Sequence, residues 1–393
     1  MRLLFVAFAD SIHTARWTSQ LAGLGWDLHV FAVTHKPPCP ELRGVTVHRL
    51  VESPRSQCEA PQQSIHWPLS RGETRLTTLL ERTKRYSPAS RLARVIDSVK
   101  PHIVHSLEMQ NGAYLTLEAR RRMRTPFPTW IYSSWGSDIY HFGRQPQHAS
   151  RIREVLAHCD YLFADCQRDV LLAREYGFAG ELLGIYPGGG GFDLAKMREM
   201  RQVGSVASRR VIAIKGYSGG PFDGRALVVI EALRRCAPQL AGYETVVYSA
   251  APEVRAAVAK LERDCGIGIS IMPASRHAEI LRLMGRSRIA IGLGLSDGTP
   301  NTMLESMIMG AFPIQSDTVS TREWITSGSN GLLVPPESPE DVAAAIRRAL
   351  VDDTLVQQAA EINTRIADEK LGRDRIRDEV ISLYERVAMD ENC

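Results

Sequence analysis

The densest group of chemistry-bearing residues runs from Gly292 to Ile314, read Gly-Leu-Gly-Leu-Ser-Asp-Gly-Thr-Pro-Asn-Thr-Met-Leu-Glu-Ser-Met-Ile-Met-Gly-Ala-Phe-Pro-Ile. The pattern predicts a strand, a glycine-bearing loop, and a helix capped by Thr299 with Pro300 at its first position and Gly310 as its stop. Free backbone N–H groups over the loop and helix start (Gly298, Thr299, Asn301 and Thr302, with Pro300 supplying none) join the helix dipole in a ready site for a phosphate. Asp297 lies just before the turn and Glu305 about two turns further on, so both can face one pocket. Carboxylates are unfavourable against a phosphate, and these two are better suited to accept hydrogen bonds from sugar and ribose hydroxyls. The plainer reading is a capped helix with two surface acids.

Positioning such a loop requires a strand before it and a helix after it, and that unit recurs along the whole chain. In the first half the predicted strands are Leu3–Phe8, Leu28–Val33, Val45–Leu50, Ile103–His105, Thr129–Tyr132, Tyr161–Ala164 and Leu182–Tyr186. A helix is expected over His13–Gly25, with Ser11 as N-cap and Gly25 as C-cap. The segment Ser53–Ser90 is polar and proline-punctuated, and reads as an insertion. The alternation stops at Pro187-Gly188-Gly189-Gly190-Gly191 and a polar stretch to Ser208. It then restarts with strands at Val211–Lys215, Thr245–Tyr248, Ile269–Met272, Arg288–Gly292, Phe312–Gln315 and Gly331–Val334. Helices fit between them at Gly224–Arg235, Glu253–Cys265, His277–Gly285, Pro300–Met309 and Pro339–Val351. Strand–helix–strand order of this kind predicts parallel, doubly wound sheets. The expected domains are 1–195 and 206–370, followed over 371–393 by an amphipathic helix (Ile376, Val380, Leu383, Tyr384, Val387) that can pack on either. Ligands in open α/β sheets bind outside the carboxyl ends of the strands, so two facing halves predict a site in the cleft between them.

Composition narrows the class. The chain has 393 residues, 44% hydrophobic and 23% charged, enough for about two full domains. No apolar run is long enough to span a membrane, and the N-terminal run meets Asp10 too early for a signal peptide. A formal net charge of +4 gives no ground for nucleic-acid binding. Basic residues do cluster, at Arg71, Arg75, Arg82, Lys84, Arg85, Arg91 and Arg94 and again at Arg120, Arg121, Arg122 and Arg124. These are either solvated helix faces or a patch for anionic head groups or a phosphorylated substrate. Seven scattered cysteines without a Cys-x-x-Cys pair read as reduced packing thiols, with no zinc site and no disulfide framework.

At Gly292–Ile314 the sequence resembles the retaining glycosyltransferases of family four, which have the two-Rossmann GT-B fold. The likeness rests on the acidic-x7-Glu spacing of Asp297 and Glu305, the strand after Gly310, and Asn330-Gly331-Leu332-Leu333-Val334. Asp297 stands where the family usually has Glu, with the charge kept and the reach shortened. The resemblance implies that Asp297, with the amides of Gly298 and Thr299, contacts the donor sugar. Glu305 then holds the ribose hydroxyls, and the loop and helix start cradle the diphosphate. It further implies two cations against the leaving diphosphate, placed at Lys215-Gly216-Tyr217 and Gly224-Arg225 with Ser218–Asp223 between. Fixed cations stabilise charge that develops in the transition state.

The same resemblance gives the first half the acceptor side. In the loop after the first strand, His13 is a contact for acceptor or donor, or else a capping residue. The strand Pro101–His105 is similar to the family's strand ending in histidine and puts His105 at the cleft or in the core. Ser133-Ser134-Trp135-Gly136-Ser137-Asp138 matches a His-Gly-x-Asp pattern with Trp135 in the histidine's place, leaving Asp138 to bind acceptor hydroxyls or to orient a neighbour. Gly188–Gly191 sits at the interdomain connection, where flexibility allows closure. The implied mechanism is front-face transfer with retention, the departing phosphate taking the acceptor's proton, without protein nucleophile, cofactor or metal. The expectation is therefore a cytoplasmic hexosyltransferase, peripheral on an anionic membrane. It would move sugar from a UDP- or GDP-sugar to a glycan or lipid-linked glycan, with no nucleic-acid partner. Two alternatives use the same halves: a nucleotide-sugar 2-epimerase, and a non-catalytic two-domain sugar-binding protein.

Overall fold

The computed structural model describes residues 1–50, 87–187, 189–219 and 224–390. They form two compact units: Met1–Ala164 with Leu172–Ile185 and the chain from Arg377 onward, and Asp165–Leu171 with Tyr186–Ile376.

The first unit holds a seven-stranded sheet. Its strands are β1 (Arg2–Ala7), β2 (Asp27–Ala32), β3 (Thr46–His48), β4 (Ile103–Leu107), β5 (Thr129–Ser133), β6 (Tyr161–Ala164) and β7 (Glu181–Ile185). The order is β3-β2-β1-β4-β5-β6-β7 and every pairing is parallel. A strand covered on both faces needs an unbroken apolar run, and Leu3–Ala7 supplies one with every side chain buried. Leu4, Val6, Phe31, Leu92, Ile96 and Val104 pack together in one cluster. Trp130, Tyr132, Ile152, Val155 and Leu162 pack in another.

Ser11 caps the first helix as expected, accepting the N–H of His13, but the helix runs only Ile12–Ser19 and not to Gly25. The hydroxyls of Thr18 and Ser19 turn back to the carbonyls of Thr14 and Arg16, and Gly23 and Gly25 adopt φ of +81° and +72°. The chain there is a series of turns, and Leu21 reaches the core from one of them.

The long C-terminal helix is Arg373–Asp390. Ile376, Val380, Tyr384 and Val387 are buried on one stripe, as their spacing predicts. From Arg377 onward it packs with the first unit: Arg377 Nε donates to Gln20 O at 2.8 Å and Arg386 pairs with Glu181 at 2.7 Å.

The second unit repeats the architecture with β8 (Val211–Lys215), β11 (Glu244–Tyr248), β12 (Ile269–Ile271), β13 (Ile289–Gly292), β14 (Phe312–Ser316) and β15 (Leu332–Val334). The parallel order is β12-β11-β8-β13-β14-β15. In both sheets the order reverses beside the first strand, at β1/β4 and at β8/β13, which is where such folds open a ligand crevice. The helix expected over Gly224–Arg235 starts later, at Ala226. Gly224–Arg225 form β10 instead, antiparallel to β9 (Ser218–Gly219). The N–H of Arg225 donates to Leu293 O and that of Ala226 to Tyr217 O, which ties the chain at the helix start to its neighbours.

Among the described residues no helix is long and apolar enough to cross a membrane. Of the first basic run, Arg91 and Arg94 are described, whereas Arg71, Arg75, Arg82, Lys84 and Arg85 lie outside the described residues, as does most of Ser53–Ser90. The second run is largely spent on its own acids. Arg121 pairs with Glu118 at 2.7 Å and with Glu154, Arg122 pairs with Glu118 at 2.9 Å, and Arg120 covers the Phe127 ring. Cys39, Cys159, Cys166, Cys236 and Cys265 carry free thiols.

Candidate active site

Lys215 ends β8 and Gly292 ends its neighbour β13, so the loop that leaves β13 starts at the switch point of the second sheet. A pocket opens there, lined by Lys215, Tyr217, Gly292, Asp297, Pro300 and Thr302 among others. Lys215 Nζ lies 3.8 Å from Asp297 Oδ2 and 4.5 Å from the centre of the Tyr217 ring. Cation and carboxylate are 17% and 24% exposed, sheltered enough for their charges to matter and open enough for a ligand to reach. Glycine is required in the walls. A Cβ on Gly216 would meet Ala250 Cα at 2.6 Å, and one on Gly224 would meet Tyr217 O at 2.5 Å. Arg225, the second expected cation, pairs with Glu337 at 2.9 Å.

The helix that aims at this pocket is Asn301–Met309. Its N-cap is Pro300, with no side-chain cap, and not Thr299 as the sequence suggested. The reason is that both polar groups of Thr299 are committed to Asp165. Its N–H donates to Asp165 Oδ2 at 2.7 Å and its Oγ1 donates to Asp165 O at 2.8 Å. The amide of Thr299 is therefore already used, and is not the free donor expected there. Gly310 stops the helix at φ +81°, as expected.

Glu305 is 3% exposed and its Oε1 meets His277 Nε2 at 2.7 Å, His277 being the first residue of the helix His277–Arg286. Glu305 is not part of the lining shared by Lys215 and Asp297. It lies three residues beyond Thr302, on the same helix face. Tyr248 is fully buried beside that face. Burial pushes its phenol well up, and the Glu305 charge adds to the effect.

In the first unit the residues separate. His105, expected at the cleft or in the core, is in the core. Its ring is fully buried, with Nδ1 2.6 Å from Tyr384 Oη and Nε2 2.8 Å from Ser133 Oγ. Trp17 Nε1 donates to the same hydroxyl at 2.9 Å, which leaves the Tyr384 proton for His105 Nδ1. Burial holds this histidine neutral, its pKa lowered to about 3.

Asp138 is also buried, its Oδ2 accepting the N–H of Met109 and of Trp135 and the hydroxyl of Tyr132 at 2.8–2.9 Å. It organises two strand ends. His13 is half-buried and meets the Trp135 ring edge-on at 5.5 Å, and Trp135 stacks on Phe8 at 6.2 Å. The structure thus joins His13 and Asp138 through Trp135. Glu108 takes φ +76° beside them, its carboxylate capping the N–H groups of Gln110, Asn111 and Gly112.

Of the connecting glycines, Gly188 lies outside the described residues. Gly189, Gly190 and Gly191 all have positive φ, a run that side chains rarely tolerate. Sequence reasoning missed Asp165, Arg168 and His277. No spacing signals them, because they reach the site from segments distant in sequence from the loop at Asp297.

Comparison with known proteins fits this geometry. Residues 2–166 match the family model "Glycosyl transferase 4-like" and residues 222–352 match "Glycosyl transferases group 1". No curated protein sequence matches. Three solved structures share the fold. Anabaena HepE with UDP and glucose is 14% identical at a TM-score of 0.69, covering 98% of this chain and 100% of that one. Sucrose-phosphate synthase of Thermosynechococcus elongatus is 16% identical at 0.70, with 98% and 99% covered. A putative UDP-N-acetylglucosamine 2-epimerase of Listeria monocytogenes is 12% identical at 0.60, with 100% and 97% covered. Residues 2–166 thus carry a glycosyl transferase 4-like domain and residues 222–352 a group 1 glycosyltransferase domain, and the chain, built of two Rossmann-like units, shares the GT-B fold of these structures.

Proposed function

We propose that this protein transfers a hexose-type sugar from a nucleotide-diphosphate sugar to a hydroxyl of a glycan or lipid-linked glycan, with retention at the anomeric carbon. The observation that carries the reading is the Lys215–Asp297 pocket at the switch point of the second sheet, with a helix N-terminus directed at it. UDP-sugars are favoured over GDP-sugars as donor, because HepE is described in complexes with UDP and with UDP-glucose. In the proposed step the acceptor oxygen attacks the anomeric carbon on the face from which the diphosphate leaves. The bond from that carbon to the phosphate oxygen breaks, and the acceptor proton passes to the departing phosphate. Lys215 and the start of the helix Asn301–Met309 offset the charge that develops there. Asp297 holds the sugar hydroxyls, and Glu305, steadied by His277, holds the ribose. Arg225 keeps a donor-side role only if it leaves Glu337. Lys215 supplies the cationic charge, and we propose transfer without a metal or other cofactor. The acceptor is assigned to the first unit, with the aromatic group of Phe8, His13 and Trp135 as its surface. Peripheral contact with an anionic membrane is proposed on the run Arg71–Arg94.

A thermal-shift screen with UDP, GDP, ADP and their sugar conjugates, with and without Mg²⁺, tests the reading. A ligand at a hundredfold excess over Kd stabilises the fold by about 2.7 kcal/mol. A shift selective for one nucleotide and indifferent to metal is expected. No shift with any of them would overturn the proposal and favour a protein that binds free sugar. The Listeria likeness keeps one other activity in view. Epimerisation of the donor without an acceptor would replace transfer by a 2-epimerase reaction.

A further inference from the structure

The turn that carries Asp297 is held by a short segment distant in sequence, residues 165–169, which packs with the second unit. Arg168 is the centre of it. Its Nη1 donates to Asp297 O at 3.1 Å and its Nη2 to Ser296 O at 3.4 Å, while the same guanidinium pairs with Asp169 at 2.9 Å. The side chains of Arg168 and Asp169 are 7% and 1% exposed. A charge pair taken this far out of water carries a large desolvation cost, and here its spare donors are spent on two successive peptide carbonyls. Asp165 holds the other end of the turn through both polar groups of Thr299. Ser320 Oγ adds a second donor to Asp297 O at 3.2 Å, and the Glu323 carboxylate accepts the N–H groups of Gln167 and Arg168. The backbone on both sides of Asp297 is therefore fixed independently of Asp297's own side chain.

We propose that Arg168 and Asp165 are positioning residues, which hold the Ser296–Thr299 backbone so that the Asp297 carboxylate meets the donor's sugar at a fixed angle. The proposal rests on the reading of Asp297 as the donor-sugar contact. A loosened turn should cost the sugar its grip while the nucleotide, bound elsewhere on the second sheet, keeps its own.

The test compares wild type, Arg168→Lys, Asp165→Asn and Asp297→Ala. Calorimetry measures the affinity for UDP and for UDP-glucose, or for GDP and GDP-mannose where the screen selects guanine. The kcat and KM for nucleotide release from the sugar conjugate are measured alongside. Arg168→Lys keeps the charge but loses the planar fork, and Asp165→Asn keeps the shape. Both are expected to hold the nucleotide affinity within twofold and to lose at least threefold of the sugar conjugate's advantage over free nucleotide. A fall in kcat of tenfold or more should accompany this. If Arg168→Lys fails to fold, Asp165→Asn decides alone. Variants that melt earlier yet keep the wild-type affinity ratio and kcat would mean the segment is only structural, and the proposal falls. Asp297→Ala separates the two ideas. If it too keeps the ratio, or wild type binds no nucleotide, the functional reading fails and takes the proposal with it.

Discussion

Lys215→Met removes one charge at the switch point and little else, since the two side chains have similar length and apolar stems. The ammonium stands 3.8 Å from Asp297 Oδ2. Two unit charges at that separation interact by ~4 kcal/mol at an effective dielectric of about 20. The pair is about one-fifth exposed, so its contribution to folding is screened toward the surface range of ~1 kcal/mol or less. In the proposed transfer the effect differs, because donor and acceptor would displace water and the negative charge developing on the diphosphate would face the fixed cation. Removing one preorganised group of this kind costs about 10²- to 10³-fold in rate, or ~2.7–4 kcal/mol. The expected result is therefore a kcat for UDP release from UDP-glucose lowered by about two to three orders of magnitude, with the thermal midpoint nearly unchanged. Lys215→Arg, which restores charge with altered reach, should recover part of the loss. A Lys215→Met enzyme with kcat within about threefold of wild type would refute the electrostatic assignment. So would a loss of activity matched by an equal loss of folded protein in circular dichroism.

Acid should loosen the first unit through His105. Its pKa of about 3 in the fold lies below the ~6.5 of an unfolded histidine, so stability is full above pH 6.5 and falls as the unfolded chain alone takes up the proton. At pH 4.5 this amounts to roughly 3 kcal/mol, and urea titrations should show a flatter pH profile for His105→Gln than for wild type. His48, lowered to about 4, contributes equally to both profiles. Gly112→Ala should cost about 1–3 kcal/mol in the same assay, because its Cβ would stand 2.6 Å from Leu107 O and 2.7 Å from Val6 O, backbone atoms with no room to yield. An unchanged midpoint would show that the Met109–Ala113 turn shifts freely. Co-sedimentation with liposomes should rise with anionic lipid and fall with salt. The Arg71–Arg85 charges must carry this binding, since Arg121 and Arg122 are already paired. Binding that ignores lipid charge would remove the membrane contact.

The two sheets were legible because their strands are buried on both faces and so read as short unbroken apolar runs, such as Leu3–Ala7 and Val211–Ile214. Helices were less legible where burial uses small or polar residues. Asp353–Lys370 buries Leu355, Val356, Ala359, Asn363 and Ala367, a stripe too weakly apolar to stand out, with Asn363 bonded to Asn330. The Asp297–Glu305 spacing lies on one stretch of chain, a single loop and helix, yet it did not put both acids in one lining: Asp297 lies with Lys215, and Glu305 meets His277. What that spacing could not convey is which backbone groups remain free. Thr299 has the residue type and position of an N-cap, and only the fold reveals that Asp165 has claimed its amide. Arg168 is the sharper case. In sequence it is one arginine among many at a helix start, and by charge alone it belongs on the surface. It is buried because two carbonyls more than a hundred residues away and an adjacent aspartate together satisfy its donors. Local pattern marks which residues are candidates for the chemistry, whereas the groups packed around them are chosen by the tertiary fold, and in the positioning role proposed for Arg168 a buried arginine bonded to backbone carbonyls does the aiming.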